Sequence, residues 1–417
     1  MKLKNKPRGT VDIFPPRSSI YQKIQQISSY VLKKNNYQLV IFPTYEFTEL
    51  FTSSLGSTSD VVNKEMFTFF DRKGRSLTLR PEGTASTARL ICQNKLVNSN
   101  NPLKLYYWGS MFRYERPQKG RYREFYQLGV ELINASGIIA DFEILRIAKD
   151  LLETFAIKDF TFQLNYLGSE KTRERYKKEL KSFFSNKTDE LCSDCQKRYQ
   201  TNILRILDCS YCFGNFAFPS YQKSWDNEDN GYIEKLNQIL DSDNFPYTYN
   251  YKLVRGLDYY TGLVFEVKLM DKNAILGGGR YDELIGKIGD KSLAAAGFAI
   301  GIDRLVNYLL DNFINNSTSI DIFFLALTEQ AFPLIFTLQK KLKKYNYVSD
   351  YNLTIKKIKN PFKVLDYYLP RLTIIIGEEE LKSDKILIKD CQKKKDFFVD
   401  SKKLIKWIDQ YLTKSLD

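Results

Sequence analysis

The feature that most constrains this chain is a change in its secondary-structure pattern about three quarters of the way along. Up to residue 310, strand-like and helix-like stretches follow one another without regular strand–helix alternation. That mixture predicts an antiparallel sheet with helices around it, an α+β domain. DNFINNSTSI (311–320) is rich in Asn, Ser and Thr and reads as a linker. Beyond it, DIFFLAL (321–327), a helical pattern over 330–345, TIIIG (373–377) and a helix near 401–413 alternate. Residues 321–417 therefore predict a small α/β domain with a largely parallel core.

Within the first part, Ile20, Ile24, Ile27 and Val31 recur at helical spacing, so 18–34 predicts an amphipathic helix capped by Ser18 or Ser19. Strands are expected at Tyr37–Pro43, 67–70, 76–80, 103–107, 110–114 and 125–132, with helices over 83–95, 140–156 and 294–310. Residues 166–250 are polar, lysine-rich and carry four of the six cysteines. They read as a helical insertion between segments 1–165 and 251–310 of the first domain.

The chain carries a formal net charge of +14. A basic surface favours phosphate-rich partners, although biased lysine usage gives the same sum. No run of 18 apolar residues predicts a membrane helix, and the basic start MKLKNKPRGT has no apolar stretch behind it. A cytoplasmic location is the expectation.

The 417 residues include no histidine, where ordinary usage would give about eight. Ser-His-Asp, Cys-His and zinc-histidine chemistries are thereby excluded. Catalysis must rest on Arg, Lys, carboxylates, Tyr, backbone or the substrate. Cys192 and Cys195 form one C-x2-C, and Cys209 and Cys212 a second. That spacing is close to a four-cysteine zinc site, so a structural Zn2+ is a candidate, with unligated thiols as the alternative.

Three segments concentrate reactive groups. FRYERPQKGRYREFYQLGVE (112–131) reads as strand, cationic loop, strand, with Phe125, Gln127, Gly129 and Glu131 on one face. In LVRGLDYYTGLVFE (253–266), Arg255 stands in an apolar context and needs an anionic partner, either Asp258 or a substrate phosphate or carboxylate. AAAGFAIGIDRL (294–305) is a small-residue helix or strand–helix ending near Arg304. The string GGGRYD (277–282) by itself more often marks a glycine turn than a phosphate cradle.

Together these segments resemble motif 2, the histidine-specific signature and motif 3 of the histidyl-tRNA synthetases, a class II family. RGTVDIFPP (8–16), the Pro43 region, 60–86, RILD (205–208), GGGRYD and IIIGEEEL (375–382) follow in family order. The resemblance implies a histidine–tRNA ligase that uses ATP with Mg2+, histidine and tRNA(His). It also implies a homodimer with the Pro43 region at its interface, and an anticodon-binding role for 321–417. By the same resemblance, Arg113 and Arg255 serve the α-phosphate, and Arg121 and Arg304 the outer phosphates. Phe125 stacks on adenine beside Glu115. Glu82, Thr84 and Gln127 take the α-ammonium group, Glu131 and Tyr260 the imidazole, and Tyr281 closes the pocket. Arg116 and Gln118 face the tRNA acceptor end.

The chain departs from the family pattern in having Tyr114 and Tyr126 where histidines are usual, Gly262 where arginine is frequent, and Asp303 for the usual glutamate. The missing histidine has two readings: an enzyme of this kind that itself lacks histidine can be translated when charged histidine tRNA runs out, or the absence follows from biased composition and chance. The rival readings are a non-catalytic regulatory paralogue, a class II synthetase for another amino acid, and a basic RNA-binding module. The ATP-site arginines and RGLDYY speak against them.

Overall fold

The computed structural model describes residues 5–56, 59–97, 101–269, 274–289, 291–313, 320–355 and 365–413, in two compact units that meet between Asp311 and Asn312. Most of the 311–320 stretch lies outside the described residues.

Strands of the first unit are β1 (Gln38–Leu39), β2 (Tyr45–Phe47), β3 (Phe67–Phe70), β4 (Ser76–Leu79), β5 (Leu103–Phe112), β6 (Glu124–Ile133), β7 (Thr161–Tyr166), β8 (Tyr247–Tyr249), β9 (Leu263–Lys268), β10 (Leu276–Arg280) and β11 (Ala295–Gly301). Eight of them form one sheet in the order β1-β5-β6-β11-β10-β9-β7-β8, and β2-β4-β3 form a smaller one. The central pairings from β5 across to β7 are all antiparallel. The edge pairs β1–β5 and β7–β8 are parallel.

One face of the sheet is covered by helices Arg17–Lys34 and Ile138–Thr154, which bury Ile24, Val31, Ile144, Leu145 and Leu151 against Leu128, Val130 and Phe265. Ile20 and Ile27 are only partly buried on the flank of that stripe. The other face is left for the cavity described below.

Several local expectations change. The Arg17–Lys34 helix is preceded by Pro16 without a side-chain cap, so Ser18 and Ser19 lie inside its first turn. Of Tyr37–Pro43 only Gln38–Leu39 pair, and 103–112 is one continuous strand. The predicted helix over 294–310 is β11 followed by helix Ile302–Phe313, because alanine and glycine at 294–301 allow the strand to lie flat between β6 and β10. GGGRYD is no turn: Leu276–Arg280 is a central strand.

The insertion is also narrower in packing than in pattern. Helix Asn227–Ser242 buries Leu236 and Leu240 in the main core, and β8 joins the main sheet. Helices Glu170–Phe184, Ser193–Thr201 and Ser210–Asn215 form a separate small core with Tyr176, Leu180, Phe184, Ile206 and Tyr221.

In the second unit, β12 (Ile322–Ala326), β13 (Ser349–Tyr351), β14 (Leu372–Ile376), β15 (Lys385–Asp390) and β16 (Lys395–Asp400) are ordered β13-β12-β14-β15-β16. Only the two pairs made by β12 are parallel; β14–β15 and β15–β16 are antiparallel. The core is mixed rather than largely parallel, because β15 and β16 form a hairpin. Among the described residues no helix is long and apolar enough to cross a membrane.

Candidate active site

The free face of the large sheet carries a cavity of about 710 Å³, well inside the roughly 300–1,000 Å³ of ligand pockets. Its floor is open because glycines occur where strands pass under long side chains. A Cβ on Gly277 would lie 2.2 Å from the Arg255 guanidinium, and one on Gly297 would lie 1.9 Å from Glu131 Oε2. The glycine run of β10 thus makes room for an arginine rather than a turn.

Four arginines reach the cavity from three places: Arg113 and Arg121 from the loop between β5 and β6, Arg255 from the loop before β9, and Arg304 from the first turn after β11. Arg113 donates from Nε to the Pro81 carbonyl at 2.9 Å and lies over the Phe125 ring, 5.4 Å from its centroid. Arg121 reaches Glu115 at 3.6 Å, and Arg113 is 4.0 Å from the same carboxylate. Among the described residues Arg304 donates only to the carbonyls of Gly120 and Ala274. Burial, followed by the positive charge of Arg121 and with Arg113 and Arg255 also contributing, holds its pKa below the usual guanidinium value. Cations crowded in this way are stabilised by an anion between them.

Arg255 pairs with Glu266 at 3.1 Å, not with Asp258. Asp258 instead faces Arg205 at 3.7 Å. Both Arg255 Nε and Gln127 Oε1 are buried with no partner among the described residues. Such orphaned polar atoms are costly unless something binds them.

Glu82 lies on the wall at the start of helix Thr84–Asn94, its oxygens accepting the backbone N–H groups of Thr84 at 2.7 Å and Ala85 at 2.8 Å. Burial raises its pKa against these hydrogen bonds. Glu131 lies just beneath the lining, 1% exposed, accepting from the Thr84 hydroxyl at 2.9 Å and from the Tyr281 hydroxyl. Burial pushes its pKa up to about 8, against the effect of both hydrogen bonds. Tyr260 lines the cavity, and burial raises its pKa too, so it stays a neutral phenol.

Of the residues singled out from the sequence, Glu82, Thr84, Arg113, Glu115, Arg121, Phe125, Gln127, Arg255, Tyr260, Tyr281 and Arg304 line this one cavity. Glu131 is a layer below it. Arg116 and Gln118 are exposed on the β5–β6 loop, outside the lining. Cys192, Cys195, Cys209 and Cys212 form a separate cluster with all four Sγ atoms within 4.8 Å of one another, and only Cys209 touches the cavity wall.

Sequence reasoning missed Glu266, Asp208 and Tyr107. Glu266 was detectable as the one acid in the buried run LVFEVK, since a carboxylate there needs a cation. Asp208, whose pKa burial raises against the pull of Arg205 and then Arg255, comes from the insertion. Nothing local marks it as part of the wall. Asp303 accepts the Tyr126 N–H at 2.8 Å and the Tyr21 hydroxyl at 2.5 Å, anchoring the segment that carries Arg304.

The family model described as Histidyl-tRNA synthetase matches residues 9–172 and 219–305. The chain is 38% identical to the histidine–tRNA ligase of Mycoplasma mycoides subsp. mycoides, over 92% of this chain and 95% of the relative. It is 39% identical to that of Bacillus subtilis, over 93% and 94%. Among solved structures, apo histidyl-tRNA synthetase of S. aureus superposes with a TM-score of 0.79 at 32% identity, over 97% of this chain and 99% of that one. The family-model match and the curated relatives both span most of this fold, and by them the chain belongs to the histidyl-tRNA synthetase family.

Proposed function

We propose that the chain is a histidine–tRNA ligase. It activates histidine with ATP to histidyl-adenylate and pyrophosphate, then transfers histidine to the 3′ end of tRNA(His). The observation that carries this reading is the single cavity where four guanidiniums converge beside the unpartnered Gln127 Oε1 and Arg255 Nε.

In the first step a histidine carboxylate oxygen attacks the α-phosphorus of ATP in line, and pyrophosphate leaves. Two anions are brought together, so the barrier falls when fixed cations sit where charge accumulates. Arg113 and Arg255 take the α-phosphate, Arg121 and Arg304 the outer phosphates, and Phe125 stacks on adenine beside Glu115. Mg2+, a hard cation that takes oxygen ligands, suits the carboxylate Glu266 in this lining and when bound neutralises outer-phosphate charge.

Gln127, Glu82 and Thr84 serve the α-ammonium group. Tyr260 and Glu131 serve the two imidazole nitrogens, Glu131 being reached past Tyr281. A pocket of buried polar groups rejects side chains that leave those groups unpaired by about 10⁴ or more. In the second step the terminal ribose hydroxyl attacks the acyl carbon and AMP leaves. The hydroxyl proton passes to the departing phosphate, so no protein imidazole is required.

Arg116 and Gln118, exposed on the loop, serve the tRNA acceptor end, and 321–417 the anticodon. A cytoplasmic homodimer fits the exposed apolar side chains Leu39, Ile41, Tyr45, Phe47 and Phe70, which lie about the Pro43 region and the small sheet. A structural Zn2+ on the four cysteines belongs to the same reading. Pyrophosphate exchange with each amino acid in turn is the test. Histidine should drive exchange, and exchange driven by another amino acid would overturn the substrate.

A further inference from the structure

We propose that zinc bound by Cys192, Cys195, Cys209 and Cys212 is a clasp that positions one wall of the aminoacylation cavity and the loop carrying Arg255. The four Sγ atoms lie within 4.8 Å of one another, and Cys192 and Cys209 are 3.7 Å apart. A tetrahedral zinc with Zn–S bonds of about 2.3 Å has sulfur–sulfur edges of about 3.8 Å. A disulfide would need about 2.05 Å. The cluster therefore has the spacing of a shared ion rather than of a crosslink, and four soft thiolates select zinc over hard cations.

The local architecture brings the two pairs together. Cys192 immediately precedes helix Ser193–Thr201, and Cys209 precedes helix Ser210–Asn215 and accepts the Cys212 N–H at 3.5 Å. Each pair is thus a knuckle at a helix start. Cys195 and Cys212 are buried in the small core, which also holds Leu253 and Val254, directly before Arg255. A core this small commonly needs a staple. The cluster falls in the stretch 173–218 that the family model leaves unmatched.

Between the two knuckles runs the 3₁₀ helix Ile203–Asp208. Arg205, 5% exposed, donates to the Gly256 carbonyl at 2.9 Å and pairs with Asp60 at 3.1 Å. Asn202 donates to Asp258 at 3.0 Å. Leu207, Asp208 and Cys209 line the cavity itself. Closing the two knuckles on one ion fixes both ends of the segment that holds the residues on either side of Leu257. Without the ion, the unfixed segment lets Arg255 and Asp208 drift. Displacement of about 1 Å at a reacting centre can cost about a hundredfold.

This positioning role rests on the histidine–tRNA ligase reading; the metal site does not. Protein purified without chelator should carry about one zinc per chain by elemental analysis, and cobalt-reconstituted protein should show sulfur-to-cobalt charge-transfer absorption. Cys195→Ser and Cys212→Ser should lose the ion, raise KM for histidine and ATP in pyrophosphate exchange about tenfold and lower kcat about tenfold, together about a hundredfold in kcat/KM. Cys212→His, which replaces the thiolate with a nitrogen ligand, should restore zinc, KM and kcat. If the serine variants fail to fold, chelator-stripped full-length chain with unchanged circular dichroism gives the same comparison. A zinc content near zero, or KM values unmoved by removing the metal, would overturn the proposal. Zinc content and the cobalt spectrum need no activity, so a failure of histidine to drive exchange is read separately from a failure of the clasp.

Discussion

Two arginines at the ends of neighbouring strands, Arg280 buried and Arg304 half-buried, have opposite surroundings. Arg280, at the end of β10, donates to Asp141 at 2.6 and 2.9 Å, to Asp282 at 3.0 Å and to the Ala135 and Gly137 carbonyls. Burial lowers its pKa, but Asp141 and Asp282 together outweigh burial and the net shift is upward. Arg304, just past β11, has only carbonyl acceptors among the described residues and three neighbouring guanidiniums, and its net shift is downward. The same side chain is a finished structural pair in one place and an unfinished one in the other. An arginine whose donors face acids holds the fold together. An arginine set among other arginines needs an anion from outside, here the triphosphate.

The sharpest way to break that contrast is Arg255→Ala. It should lower kcat/KM in pyrophosphate exchange by about 10³ or more, as catalytic arginines are worth this much on transferring phosphoryl groups, while leaving the thermal melt in place, since Glu266 keeps Lys268 at 2.9 Å as its partner. A variant that melts early would move Arg255 to the structural class.

Arg280→Ala should do the reverse. Removing one partner of a buried pair leaves Asp141, 2% exposed, as an uncompensated charge. That costs about 3–5 kcal/mol. Denaturant unfolding should shift strongly, and activity measured on the remaining folded protein should stay near wild type.

Glu131 gives a pH-dependent comparison. Its folded pKa of about 8 lies above the ordinary 4.5, so the folded chain binds the proton more tightly than the unfolded one. The stability this contributes is complete below pH 4.5 and is lost as pH rises toward 8. Glu131→Gln, which cannot ionise, should gain stability relative to wild type across that window and show no gain at its acid end. Flat melting-temperature differences from pH 5 to 8 would contradict the burial argument. The same variant should lose discrimination for histidine.

The smallest effect is expected from Tyr114→His with Tyr126→His. Tyr114 packs on Phe67 under Arg123, and Tyr126 against Tyr21, neither holding a reacting group. Exchange should stay within about twofold, because guanidiniums rather than imidazoles carry the chemistry. Synthesis of the variant should become sensitive to histidine starvation, and unchanged synthesis would count against the translation argument.

Much of the site could be read before any fold was known. The alternation of Phe125, Gln127 and Glu131 along one strand placed them on one face, and β6 keeps that register against β11. The paired C-x2-C strings anticipated a cluster of four thiols. Less legible were the segments whose small residues suit several backbones. Residues 294–301 read as helix by composition, and only pairing on both sides makes them a strand. The insertion's outline was blurred for a similar reason. Helix Asn227–Ser242 looks polar, yet its Leu236 and Leu240 pack in the main core.

By itself the sequence determined which chemistry is available: arginines and carboxylates, no imidazole, four soft thiols, and strand and helix periods that follow from local spacing. Which groups meet was decided only by tertiary structure. Arg255 faces Glu266 rather than Asp258, Arg280 is held by Asp141, and Asp208 from the insertion joins a wall built by the sheet. Periodicity is set by backbone geometry over a few residues, whereas a charge finds its partner across strands and loops far apart in the chain. Those distances are fixed by register and packing, and no local pattern records them.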